Sequence, residues 1–70
     1  MKLILTIILM NGSAYSFHYK VNKIDAYYCD ALFDKYTYVN TSTANNGRPI
    51  TKVYYKSQEV LGHICHYKST

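Results

Sequence analysis

Three sets of side chains in this 70-residue chain could carry chemistry. The first is a pair of histidines, His63 and His66, inside the segment 60–67 (VLGHICHY). A histidine at a strand end can give or take a proton near neutral pH, which makes His66 a candidate general acid. The two lie three positions apart and would face opposite ways on a strand, so they cannot share one site. The second set is Arg48, Lys52, Tyr54, Tyr55 and Lys56. Cations hold phosphates and phenol rings stack on unpaired bases, so Arg48, Lys52, Tyr54 and Lys56 are candidate RNA-binding residues. Alternation puts Lys52, Tyr54 and Lys56 on one face of a strand. The third set is Cys29 and Cys65, the only two cysteines. In an oxidising compartment they have one possible pairing, a disulfide closing a long loop. The competing use is a metal site from Cys29, Cys65, His63 and His66. Two distant cysteines without a C-x-x-C fit zinc poorly, and no metal or other cofactor is expected.

Catalysis needs more than these sets offer. A metal-independent RNA endonuclease needs a base for the 2′-hydroxyl, an acid for the leaving oxygen and cations for the phosphorane. With His66 as acid and Lys52 on the phosphate, the base is missing: Glu59 is the only glutamate and falls in an expected turn, and Asp25, Asp30 and Asp34 are in the N-terminal half. No phosphate-binding glycine loop, zinc-protease helix or serine-hydrolase elbow is present. The pattern favours binding over turnover.

The elements that must position these groups are few. Seventy residues allow one domain, and a core this small usually needs a staple. Nine tyrosines supply much of the apolar content, and each needs its hydroxyl bonded or wet. Residues 1–16 have the layout of a secretory signal peptide: a positive start (Met1, Lys2), an eight-residue apolar run (LILTIILM), then small residues at alternate positions. The run is too short to span a bilayer, which takes about 20 apolar residues. Cleavage is expected after Ser16, leaving residues 17–70 as a single small secreted domain. Asn40-Thr41-Ser42 is an N-glycosylation sequon in a polar run, 40–47, that reads as an exposed loop.

Within residues 17–70 the period is mostly that of strands. Residues 17–21 and 24–29 read as strands, 30–35 as one helical turn capped by Asp30, and 36–39 as strand-like. Residues 50–56 (ITKVYYK) and 60–67 make a plausible antiparallel hairpin about a 57–59 connector. Alternation along 60–67 groups Val60, Gly62, Ile64 and His66 against Leu61, His63, Cys65 and Tyr67. The expected fold is a small β-dominated α+β domain, an antiparallel sheet with a C-terminal hairpin and one disulfide.

The stretch Lys52-Val53-Tyr54-Tyr55-Lys56, followed by Val60-Leu61-Gly62-His63-Ile64-Cys65-His66, resembles the hairpin of small fungal guanyl-specific ribonucleases. Tyr27-Tyr28-Cys29 is similar to the Tyr-x-Cys signature of ribonuclease-like secreted effectors of powdery mildew fungi. The resemblance implies a phosphate contact at Lys52 and a general acid at His66. It also implies export, with action inside host cells by binding host RNA or a host protein after most of the catalytic set is lost. The family's catalytic glutamate strand has no counterpart here, and Cys65 is not at the family's usual cysteine position. The alternative is a small secreted toxin-like, antimicrobial or receptor-binding peptide, which needs only export, positive charge and one bridge. In either case a monomer without a membrane span is expected.

Overall fold

Strict alternation in one strand organises the molecule. In the computed structural model, which describes residues 1–69, β1 (Lys2–Leu9) buries every second side chain. Leu3, Leu5, Ile7 and Leu9 are fully buried and make up four of the seven buried core residues, with Cys29, Leu32 and Tyr55. In the 70-residue chain the apolar run 3–10 thus supplies the main core strand. β2 (Ala14–Lys20) and β5 (Gln58–Lys68) pair antiparallel with β1 on either side. β4 (Pro49–Tyr55) follows β5, and β3 (Tyr38–Thr43) forms the far edge, giving the order β2-β1-β5-β4-β3. The β-dominated α+β fold, the C-terminal β4–β5 hairpin and the Cys29–Cys65 bridge agree with the sequence reading.

One helix, α1 (Ala26–Tyr36), covers one face of the sheet. Asp25 caps it, its carboxylate accepting from the Tyr27 and Tyr28 amides at 3.0 and 3.4 Å. Cys29, Leu32, Phe33 and Tyr36 recur at i, i+3, i+4 and i+7 and form the stripe that meets the core. Thr37 ends the helix, its amide and hydroxyl both donating to the Phe33 carbonyl. Two expectations are corrected here. Residues 24–29 are not a strand, and the helix is capped by Asp25 rather than Asp30, because the 3.6-residue stripe starts at Cys29 and extends past Lys35.

The β4–β5 hairpin turns on Lys56 and Ser57, both at positive φ (47° and 67°), the two-residue geometry whose twist matches flanking strands. The hairpin pairs only at Tyr54↔Glu59 and Tyr55↔Gln58. Beyond that point β4 leaves the sheet with β3 as a two-stranded ribbon, every residue of β3 exposed, and the molecule is elongated, 50 × 23 × 15 Å. The ribbon turns between Ala44 and Arg48, with Gly47 at φ 81°. Residues 40–43, expected in a loop, belong to β3, and the turn begins only at Ala44.

Candidate nucleic-acid interface

Cross-strand register assigns each side chain to a face, because directly opposed residues point the same way. The helix-covered face takes Tyr19, Phe17 and Tyr15 opposite Leu3, Leu5 and Ile7 on one side of β1, and Tyr67, Cys65 and His63 on the other. His63 stacks on Phe33 with ring centroids 3.9 Å apart and lies 3.9 Å from the Asp30 carboxylate. It is thereby part of the helix–sheet junction.

Among the described residues the opposite face carries no helix. Its rows are Lys20–Lys2–Lys68, His18–Ile4–His66, Ser16–Thr6–Ile64 and Ala14–Ile8–Gly62. On β4 the same face continues through Tyr54, opposite Glu59, and then Lys52 and Ile50. A register shift between Ile8 and Leu9 inserts Leu61 as an extra residue in β5. This bulge moves Val60 to the covered side opposite Leu9, so Val60 does not share a face with His66 as the simple alternation implied.

The candidate residues are distributed along this face. Lys52 pairs with Glu59 at 3.3 Å. Tyr54 stacks on Tyr38 at 5.6 Å between centroids and 21° between planes. Lys56 is in the hairpin turn, not in the Lys52–Tyr54 row, and its ammonium sits 5.5 Å over the Tyr55 ring. Arg48 is at the far tip of the ribbon beside Gly47. Asn40 of the sequon stands opposite Lys52 on exposed β3. His66 is seven residues along β5 from Glu59, about 23 Å at about 3.3 Å per residue. Lys52 and His66 are therefore not brought together, and no acid–phosphate pair forms between them. The metal alternative is overturned by the disulfide: Cys29 and Cys65 are bonded to each other, with Cα atoms 6.4 Å apart, and His63 and His66 face opposite sides.

Sequence reasoning missed one group. Lys2, Lys20 and Lys68 come from three separate strands and meet only through register. Beside Lys20 an open cleft of about 240 Å³ is lined by Val21, Asn22, Lys23, Asp25 and Tyr28, which adds Lys23 to the same end of the molecule. Nothing in residue type or local spacing signals the row, because register is readable only once β1 is known to be a strand. Inside the covered face, the Tyr19 and Tyr36 hydroxyls are hydrogen-bonded to each other. That bond, then burial, raises the Tyr19 pKa to about 12.

Among the described residues no helix is long and apolar enough to cross a membrane. No family model, curated protein or solved structure matches the chain.

Proposed function

We propose that this chain is a non-catalytic binding module that takes single-stranded RNA on the uncovered face of its sheet. The observation that carries the reading is the Tyr38–Tyr54 stack beside Lys52, on a ribbon whose β3 strand is fully exposed. Tyr38 is half-exposed and Tyr54 partly buried against it. Rings that reach solvent accept unpaired bases with little sequence preference, at about 1–3 kcal/mol per stacked base, and neighbouring cations hold the backbone. Lys56 and Arg48 extend the positive charge to the turn and to the ribbon tip. The separation of Lys52 from His66 argues against turnover by that pair.

The compartment belongs to the same proposal. The Cys29–Cys65 bridge supports an oxidising environment, and so export. With the resemblance to ribonuclease-like effectors, it favours a secreted protein that meets host RNA, with a host protein as the other candidate partner. The proposed module is the chain with β1 in place, because cleavage after Ser16 would take away the strand that supplies most of the core. A membrane-lytic role is less well supported: α1 carries Asp30 and Asp34 beside Lys35, which does not make a basic amphipathic helix.

The test is anisotropy of a labelled single-stranded RNA titrated with the oxidised chain at several salt concentrations. Binding should weaken as salt rises, and Lys52→Ala with Tyr54→Ala should reduce it. Absence of binding at low salt would reject the proposal. RNA shortened by wild type but not by His66→Ala would replace it with the endonuclease reading.

A further inference from the structure

Three lysines at one end of the uncovered face are placed at a cost. Lys2 stands directly opposite Lys20 on one side and Lys68 on the other. Like charges in directly opposed positions oppose strand pairing unless an anion sits between or above them. No carboxylate among the described residues forms an ion pair with this row, and Asp25, which lines the cleft beside Lys20, caps the helix. Asp25, Asp30 and Asp34 belong to the helix or its cap on the other face, and Glu59 is occupied with Lys52 at the far end of β5. The next row places His18 and His66 on either side of Ile4, adding two ring N–H donors beside the ammonium groups. Neighbouring strands are about 4.8 Å apart, so the lysines span about 10 Å across the sheet, a width that suits linked phosphates better than one isolated anion.

This row and the Lys52–Tyr54 cluster occupy opposite ends of one face. Lys68 is nine positions along β5 from Glu59, about 30 Å of strand. Between them the face is uncharged, the small Ser16, Thr6, Ala14 and Gly62 lying beside Ile8 and the exposed Ile64. A strand of nucleic acid lying lengthwise would meet the stacked tyrosines and the Lys52–Glu59 pair at one end, the lysine row at the other, and no charge to cross in the middle.

We propose that Lys20, Lys2 and Lys68, flanked by His18 and His66, form a second phosphate anchor for the same RNA, which runs along β5 from the tyrosine ribbon to the lysine row. This inference rests on the RNA reading above and adds to it a length requirement and a polarity of contact: stacking at the ribbon, phosphate at the row.

The experiment compares RNAs of about 4 and about 12 nucleotides, one at the lower limit of the usual footprint of single-strand binders and one well inside it. Wild type is set against the variant Lys2→Gln/Lys20→Gln/Lys68→Gln, with circular dichroism to show that the variant is folded. The longer RNA should bind wild type more tightly than the shorter one. The variant should lose that advantage, and its log K against log salt slope should be shallower by about 2, since each phosphate neutralised on a single strand contributes about 0.7. The short RNA should bind both proteins alike. Equal affinity and equal slope for wild type and variant on the longer RNA would overturn the anchor while leaving the ribbon reading intact. If neither RNA binds wild type, the RNA reading itself has failed, and the anchor falls with it.

Discussion

The Tyr67 hydroxyl donates to the Asp25 carbonyl at 2.7 Å and accepts from the Asp25 amide at 3.3 Å. One side chain from the last strand thus holds both main-chain groups of the residue that caps the only helix among the described residues. The two contacts below it follow the pleat of β5: Cys65 bridges to Cys29, and His63 stacks on Phe33. Steps of two along the strand meet successive turns of α1, which fixes where the helix sits on the sheet.

Replacing Tyr67 with Phe keeps the ring and removes this pair of bonds. The loss is about 0.5–1.5 kcal/mol, with a further penalty if the Asp25 carbonyl finds no water. In a domain of this size each kcal/mol moves the midpoint of thermal unfolding by about 4–8 °C. A melt followed by circular dichroism should show a drop of that order. An unchanged midpoint would mean that solvent replaces the hydroxyl without cost.

Reduction of the Cys29–Cys65 bridge should matter more. The bond joins positions 36 residues apart, and the chain-entropy model gives about 3–4 kcal/mol for such a loop. Small domains hold about 5–15 kcal/mol in total, and among the described residues this core has only seven that are buried. Denaturant titrations with and without a reductant should differ by several kcal/mol in unfolding free energy. Coincident curves would show that helix–sheet packing alone holds the fold.

β1 carries the sharpest contrast between sequence and structure. LILTIILM is apolar on both faces, since Ile4 and Ile8 of the uncovered side interleave with the buried Leu3, Leu5, Ile7 and Leu9. An interior strand and a leader core look alike in such a run, because neither shows a clean period of two. The disulfide was legible because two cysteines allow one pairing, and the C-terminal hairpin because two β-forming segments flank a short connector. The helix was not, because its stripe of Cys29, Leu32, Phe33 and Tyr36 is interleaved with the exposed Tyr27 and the partly exposed Tyr28. Lys56 and Ser57 carry no turn signal, lacking the Gly or Asn that positive φ favours. The lysine row was invisible for the same reason as β1, since one of its three members lies in the segment read as a leader.

The core role of β1 makes a prediction of its own. Leu5→Ala should cost about 2–5 kcal/mol, because Leu5 is fully buried opposite Phe17 and Cys65. Thr6→Ala, on the uncovered face beside Ser16, should change stability by no more than about 0.5 kcal/mol. A chain starting at Phe17 should lack cooperative unfolding altogether. A cooperative melt from that shortened chain would show that residues 17–70 find a core without β1.

Alkaline pH offers a test of the covered face. Tyr19 is held protonated by its bond to the Tyr36 hydroxyl, which lifts its pKa from 10.0 to about 12. The folded state therefore keeps this proton more tightly than the unfolded chain does. By linkage, the stabilisation is fully present below pH 10 and drains away as pH rises from about 10 through about 12. Unfolding midpoints measured across that window should fall for wild type, on top of any general alkaline trend. Tyr19→Phe should start lower, having lost the hydrogen bond, and fall less steeply over the same interval. Parallel slopes for the two proteins would show that the Tyr19 hydroxyl titrates alike in the folded and unfolded chain.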